Sequence, residues 1–289
     1  MKRILITSLL ALIITACQEE KSEVDIQIHE LGINASEFKN IDTLKYKNEN
    51  IESLTFHKTA NEYYKIAFYE NGSKKQFYRI KNDQFHGKAT DWFVNGNKKM
   101  TREYDNGNLI SNNITFQENG FKKQDYNTEN NTVIYYFENG KPRLKYTDSS
   151  TTYYYDNGNK FENYIYEFNS QNENTGRGIV KFYNENKDLA FEGTYDSSTF
   201  LKDNKKFNGK ITCYFKDGKP SLSFNLKNGI NEGKFITYHG NGILKHEGET
   251  NDAVEIYYKS YYPNGNPEYE NDKRNNIKKR WDENGKLEQ

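Results

Sequence analysis

From about residue 65 onward the chain runs in short segments where apolar and polar residues alternate. Many of these segments close on Asn-Gly, as at Asn71-Gly72, Asn95-Gly96, Asn106-Gly107, Asn139-Gly140, Asn228-Gly229 and Asn264-Gly265. Alternation with period two marks a half-buried β-strand, because successive side chains of an extended chain point to opposite faces. Asn and Gly both tolerate the positive φ of a two-residue type I′ turn, which is the tightest way to reverse a strand. The pattern predicts an all-β fold: an elongated antiparallel sheet of tandem β-hairpin repeats, solenoid-like in that each hairpin leans on its neighbours.

Aligned on the turns, the chain repeats every 20–24 residues or so. Good copies are Phe68-Tyr69-Glu70-Asn71-Gly72, Trp92-Phe93-Val94-Asn95-Gly96, Tyr136-Phe137-Glu138-Asn139-Gly140 and Tyr214-Phe215-Lys216-Asp217-Gly218. Phe182-Tyr183-Asn184-Glu185-Asn186 is a degenerate copy. Phe85-His86-Gly87-Lys88 and Asn231-Glu232-Gly233-Lys234 open later strands. An aromatic pair before Asn-Gly, with Gly-Lys opening the next strand, resembles the MORN repeat variant of bacterial proteins. The resemblance covers roughly residues 65–289. Pro142, Pro220 and Pro267 each follow the turn glycine by two residues. Proline has no N–H, so this shared register marks a position that needs no donor.

A two-residue turn at Asn71-Gly72 sets Tyr69 opposite Lys74, Phe68 opposite Lys75 and Ala67 opposite Gln76. Alternation then gathers Phe137, Leu144 and Tyr146 on one face, or Cys213, Phe215, Leu222 and Phe224 in a later copy. That face is the expected core. The opposite face pairs rings with cations: Phe68 with Lys75, Trp92 with Lys99 and Tyr136 with Arg143. These six residues are the expected partner-binding row, with Trp92 and Arg143 as its anchors. The competing reading is a solvated face on which lysine stems cover the rings.

Composition adjusts this picture. Only 34% of residues are hydrophobic, but there are 24 Tyr and 18 Phe, so the core is thin and built from rings. Aromatics at 15% and zero formal charge argue against disorder, and the neutral balance argues against nucleic acid as a partner. Lys2 and Arg3 precede an apolar run from Ile4 to Ile14, which is too short to span a membrane and suits a leader peptide. The run ends in Ile14-Thr15-Ala16-Cys17, which resembles the lipobox of bacterial lipoproteins. The resemblance implies lipidation of Cys17, membrane attachment and a bacterial envelope location, as an outer-membrane lipoprotein on the periplasmic face or the cell surface. Gln18-Glu19-Glu20-Lys21-Ser22-Glu23 resembles the surface-export signal of Bacteroidetes lipoproteins. The expected organisation is a signal peptide at 1–16, an acidic tether and cap at 17–64, and the repeat array at 65–289.

With Cys17 acylated, Cys213 has no partner for a disulfide. His29, His57, His86, His239 and His246 show no metal-ligand spacing, and neither a phosphate loop nor a nucleophile elbow occurs. No cofactor, metal or catalytic residue is expected, and the chain reads as no enzyme. The leading expectation is a membrane-anchored lipoprotein that presents a repeat sheet to a protein or a glycan. The alternative is a toxin-neutralising immunity protein, because similar repeats build bacterial antitoxins. An envelope enzyme has no supporting cluster.

Overall fold

The structure is a computed structural model that describes residues 29–34, 38 and 40–288. Cys17 and the acidic stretch behind it lie outside the described residues. The chain divides into two compact units, Met1–Ile110 and Ser111–Gln289. Apart from one helical turn at His29-Glu30, the regular elements among the described residues are β-strands.

Unit one holds β1 (Asn40–Lys45), β2 (Ile51–Thr59), β3 (Glu62–Phe68), β4 (Lys74–Lys81), β5 (Gln84–Phe85), β6 (Gly87–Trp92), β7 (Lys98–Asp105) and β8 (Asn108–Leu109). They pair antiparallel in the order β1-β2-β3-β4-β6-β7, with the short β5 and β8 closing hairpins on β4 and β7. Strands therefore begin well before residue 65. Residues 40–64, expected as part of a cap, carry β1, β2 and the start of β3. Their turn at Tyr46–Asn50 lacks Asn-Gly and puts Glu49 at φ 66°, which hid it in the sequence.

The main turns differ from the expected type I′. Gly72 N–H donates to Tyr69 O, and Tyr69 N–H donates to Ser73 O. Gly72 has φ +84°, while Asn71 is absent from the positive-φ residues. This is a three-residue loop: a type I turn closed by a left-handed glycine. The same pair of bonds recurs at Phe93, Phe137, Tyr155, Phe215 and Tyr262. Type I′ turns do occur, but between the main hairpins, at Asn82-Asp83, Asn106-Gly107 and Asn228-Gly229, where both residues have positive φ.

The longer loop shifts the register by one residue, and a bulge shifts it back. Phe68 pairs with Lys74 and Ala67 with Gln76, so Lys75 is the extra residue. Equivalent shifts sit at Trp92, Tyr136, Tyr214 and Tyr261. Pro142, Pro220 and Pro267 each open a strand at this irregularity, where a missing N–H is tolerated.

The core of unit one gathers Ile33, Leu54, Phe56, Ile66, Phe68, Phe77 and Trp92, with Phe38 and Tyr64 against its rim. Ile66 faces Leu54 on β2 and Phe77 on β4, so three adjacent strands contribute one cross-strand row. The buried face is thus the one that carries the residue just before the turn.

Unit two holds β9 (Asn113–Phe116), β10 (Lys122–Asn127), β11 (Thr132–Tyr136), β12 (Pro142–Thr147), β13 (Ser150–Tyr154), β14 (Lys160–Phe168), β15 (Asn174–Tyr183), β16 (Leu189–Asp196), β17 (Thr199–Lys202) and β18 (Lys205–Lys206). It continues with β19 (Gly209–Tyr214), β20 (Pro220–Lys227), β21 (Ile230–Asn231), β22 (Gly233–Tyr238), β23 (Leu244–Asn251), β24 (Val254–Tyr261), β25 (Pro267–Asp272) and β26 (Ile277–Arg280). β9 to β18 pair in chain order, and β19-β20-β22-β23-β24-β25-β26 form a second run with β21 on β20.

The two runs share a core. Val180, Phe182 and Phe191 of the first pack against Ile211, Cys213, Leu222, Phe224 and Leu226 of the second. The Phe182 and Phe224 rings stand 5.5 Å apart and the Phe191 and Phe207 rings 5.0 Å. Here the buried face is the opposite one. Cys213 sits two residues before the turn residue Phe215, and Phe182 two before Asn184. The turn bonds place Tyr183, not Phe182, at the position of Phe68, which moves the degenerate copy by one residue. Cys213 is fully buried opposite Leu222, as expected.

Candidate interaction surface

The face reversal decides the fate of the expected row. Phe68 is 1% exposed and Trp92 6%, so both are core residues of unit one and present no ring to a partner. Two physical causes combine. The rows of Ile66 and Phe77 make that face the apolar one, and the bulge carries Lys75 away from Phe68. Lys75 and Lys99 remain exposed, but their ammonium groups lie over the next ring along, Tyr69 at 5.7 Å and Phe93 at 5.8 Å. Tyr136 is half-buried, and its ring carries Lys122 at 5.9 Å rather than Arg143. Arg143 is exposed. The structure does not bring the six together as an exposed row in either unit.

The rings that close the turns are committed to neighbouring turns. Tyr69 OH donates to Trp92 O at 2.8 Å, Tyr155 OH to Tyr183 O at 2.9 Å and Tyr262 OH to Trp281 O at 2.9 Å. The turn asparagines act likewise: Asn139 Nδ2 donates to Asp156 O at 2.8 Å and Asn264 Nδ2 to Glu283 O at 2.8 Å. Several main turns are therefore bonded to the next by a phenol, an amide or both. These contacts explain the recurring Tyr and Asn as scaffold.

What remains open is the face of β12–β17 turned away from the unit-two core. The register sets Ser150 opposite Ile165, Ile165 opposite Ile179, Ile179 opposite Thr194 and Thr194 opposite Leu201. This row crosses five strands, with Ile165 38% and Ile179 37% exposed. One row toward the hairpin end, Arg177 Nε donates to Asp196 Oδ2 at 2.9 Å. One row the other way, Lys181 Nζ meets Glu192 Oε1 at 3.0 Å. An aliphatic stripe between two rows of ion pairs lines an open depression of about 590 Å³. A second, polar depression of about 440 Å³ adjoins it at Ile165. The signal for this face is the run Asn163-Tyr164-Ile165-Tyr166, apolar on both parities. Alternation alone cannot say which parity is buried.

The buried side of the same strands carries an acid. Glu162 faces Phe182 across the β14–β15 ladder and accepts a hydrogen bond from Tyr164 OH at 2.6 Å. No ion pair reaches Glu162 among the described residues, and burial pushes its carboxyl up to about 7, opposed only by that phenol. Burial also pushes the Cys213 thiol up to about 12, helped by the Glu162 charge. In the second run, burial pulls His246 down to about 4, aided by Lys245 and His239. Among the described residues no three His, Cys, Asp or Glu side chains come together as metal ligands.

Two stretches, 177–197 and 255–271, match the model of the MORN repeat variant. They fall on the hairpins β15–β16 and β24–β25. The chain is a β-hairpin repeat protein, and two of its hairpins are similar to the MORN repeat variant. Among curated proteins none matches it. Solved structures similar to it include the Photorhabdus luminescens Tc holotoxin pore, at 12% identity and a TM-score of 0.20, over 91% of this chain and 16% of that one. A TcdB2–TccC3 structure without its hypervariable C-terminal region gives 11% identity and a TM-score of 0.17, over 85% of this chain and 20% of that one. The chain thus spans a fifth or less of the length of these relatives.

Proposed function

We propose that this protein is an envelope lipoprotein, anchored through Cys17, that binds a protein partner on the exposed face of β14–β17 and catalyses nothing. The observation that carries the reading is the aliphatic row Ile165–Ile179–Leu201, open or half-open to solvent, whereas the other exposed large apolar side chains among the described residues are mostly scattered or lie in turns. A contiguous exposed apolar patch rimmed by charge is the usual footprint of a protein interface. The lipobox-like Ile14-Thr15-Ala16-Cys17 supports the anchor, because a thioether-linked diacylglycerol plus a further acyl chain holds a protein on a membrane where one chain does not.

Two experiments test it. Cys17→Ser is expected to leave the membrane fraction or to keep its leader; fractionation identical to the wild type contradicts the anchor. A soluble form beginning after Cys17 is expected to retrieve one envelope protein, and Ile179→Asp to lose it at least tenfold with unchanged melting. Retention by Ile179→Asp contradicts the surface. Retrieval of a toxin would turn the same face into a neutralising one.

A further inference from the structure

The polar depression beside the aliphatic row has a chemistry of its own, independent of the protein-binding reading. Lys145 on β12 pairs with Thr152 on β13, Thr152 pairs with Asn163 on β14, and Tyr154 pairs with Lys160. Cross-strand pairing and period-two alternation set Lys145, Thr152, Asn163 and Tyr154 on one face, and the bulge at Tyr154 brings Lys160 onto it as well. Thr152 at 6% and Asn163 at 7% exposure form the floor. Lys145, Lys160, Tyr154, Ser149, Ser150 and Ile165 make the walls of a recess of about 440 Å³, within the range of small-ligand sites.

Three features set the ligand. First, no carboxylate lines the recess, and among the described residues neither Lys145 nor Lys160 has an ion-pair partner. Three other cations on this face are matched: Lys122 by Asp125, Arg177 by Asp196, Lys181 by Glu192. Two unmatched ammonium groups around a polar floor favour a negative charge. Second, Asn163 commits Nδ2 to Thr152 Oγ1 at 2.9 Å and Thr151 O at 3.2 Å. Among the described residues its Oδ1 is left as an acceptor with no protein partner, and a fully deprotonated inorganic anion such as sulfate, which brings only acceptors, has no use for it. A ligand with hydroxyl groups does. Third, the Tyr154 ring and Ile165 supply apolar wall, which suits the C–H face of a sugar ring.

We infer that the recess binds an acidic saccharide, with its carboxylate held by Lys145 and Lys160 and its hydroxyls by Asn163 Oδ1 and the Ser150 side chain. The test is calorimetric titration of the full-length protein in detergent with digalacturonate, neutral digalactose, N-acetylneuraminate and inorganic phosphate. At least one of the two acidic sugars is expected to bind at least tenfold tighter than digalactose and than phosphate. Lys145→Gln/Lys160→Gln is expected to lower that affinity at least tenfold with unchanged melting. Lys160 is exposed, so Lys160→Glu alone provides the same test if the double variant fails to fold. Acidic sugars that bind no tighter than digalactose, phosphate that binds as tightly as either acid, or affinity retained in the lysine variants would each overturn the proposal.

Discussion

Lys75 sits at the bulge opposite Phe68, and this one extra residue separates the scaffold rings from the exposed cations. Phe68 and Trp92 fill the unit-one core, while Lys75 and Lys99 cover the turn rings Tyr69 and Phe93. Trp92→Ala should therefore cost about 3–5 kcal/mol, the usual range for emptying a buried aromatic site. Lys75→Ala should cost about 0.5 kcal/mol or less, as an exposed cation–π contact does. Chemical denaturation of the two variants checks the contrast, and near-equal losses would contradict the burial assignment. Glu162 gives a second residue-scale test. Its folded pKa, pushed up to about 7, exceeds the ordinary carboxylate value of 4.5, so the native state holds its proton more tightly. This contribution is complete below about pH 4.5 and is lost as pH rises toward 7. His246 works the other way: with its folded pKa pulled below 6.5 to about 4, it removes stability as pH falls through that window. Glu162→Gln should flatten the decline in melting temperature between pH 5 and 7 and leave the acid limb in place. An unchanged decline would show that another group carries it.

At the scale of the hairpin, the main turns owe their order to bonds made from one turn to the next. Asn139 uses both ends of its amide: Oδ1 accepts from Lys141 N–H at 3.0 Å and Nδ2 donates to Asp156 O at 2.8 Å. Asn139→Asp keeps the acceptor and removes the donor. The loss of one such bond should cost about 1 kcal/mol, readable as a shift in the denaturation midpoint. No shift would mean that the bond between turns contributes nothing. The natural Asp217 copy shows that the acceptor half suffices locally, since Asp217 Oδ1 still takes Lys219 N–H at 3.0 Å. Beyond residue 65 the positions of most strands and turns are legible in Asn-Gly and the aromatic pairs, whereas β1, β2 and the turn at Asn184, which lack both signals in register, are not. The turn type was not, because Asn-Gly serves both a type I′ turn and a type I turn closed by a left-handed Gly. Asn106-Gly107 takes the first form and Asn71-Gly72 the second. Strand context decides between them, and the compensating bulge at Lys75 leaves no mark in the sequence.

For the molecule as a whole, the same repeat offers two usable faces, and each unit makes its own choice. Unit one buries the parity of Phe68 and Trp92, whereas unit two buries that of Phe182 and Cys213. Alternation showed that two faces exist and, in the copy with Cys213, Leu222 and Phe224, which is buried. It could not carry that choice to other copies, because rings stand on both parities and only packing against other strands selects one. The same ambiguity hid the open aliphatic row of β14–β17, whose parity reads as core in Ile165 and Ile179 and is solvent-facing in the fold. That row is the centre of the functional account, and site-specific photocrosslinking in cells that make the protein tests it most directly. A photoreactive residue at Ile179 or Leu201 should give one discrete protein adduct, and the same residue at the exposed Val94 of unit one should give none. No adduct from Ile179 and Leu201, or the same adducts from all three positions, would contradict the assignment of this face as the binding surface.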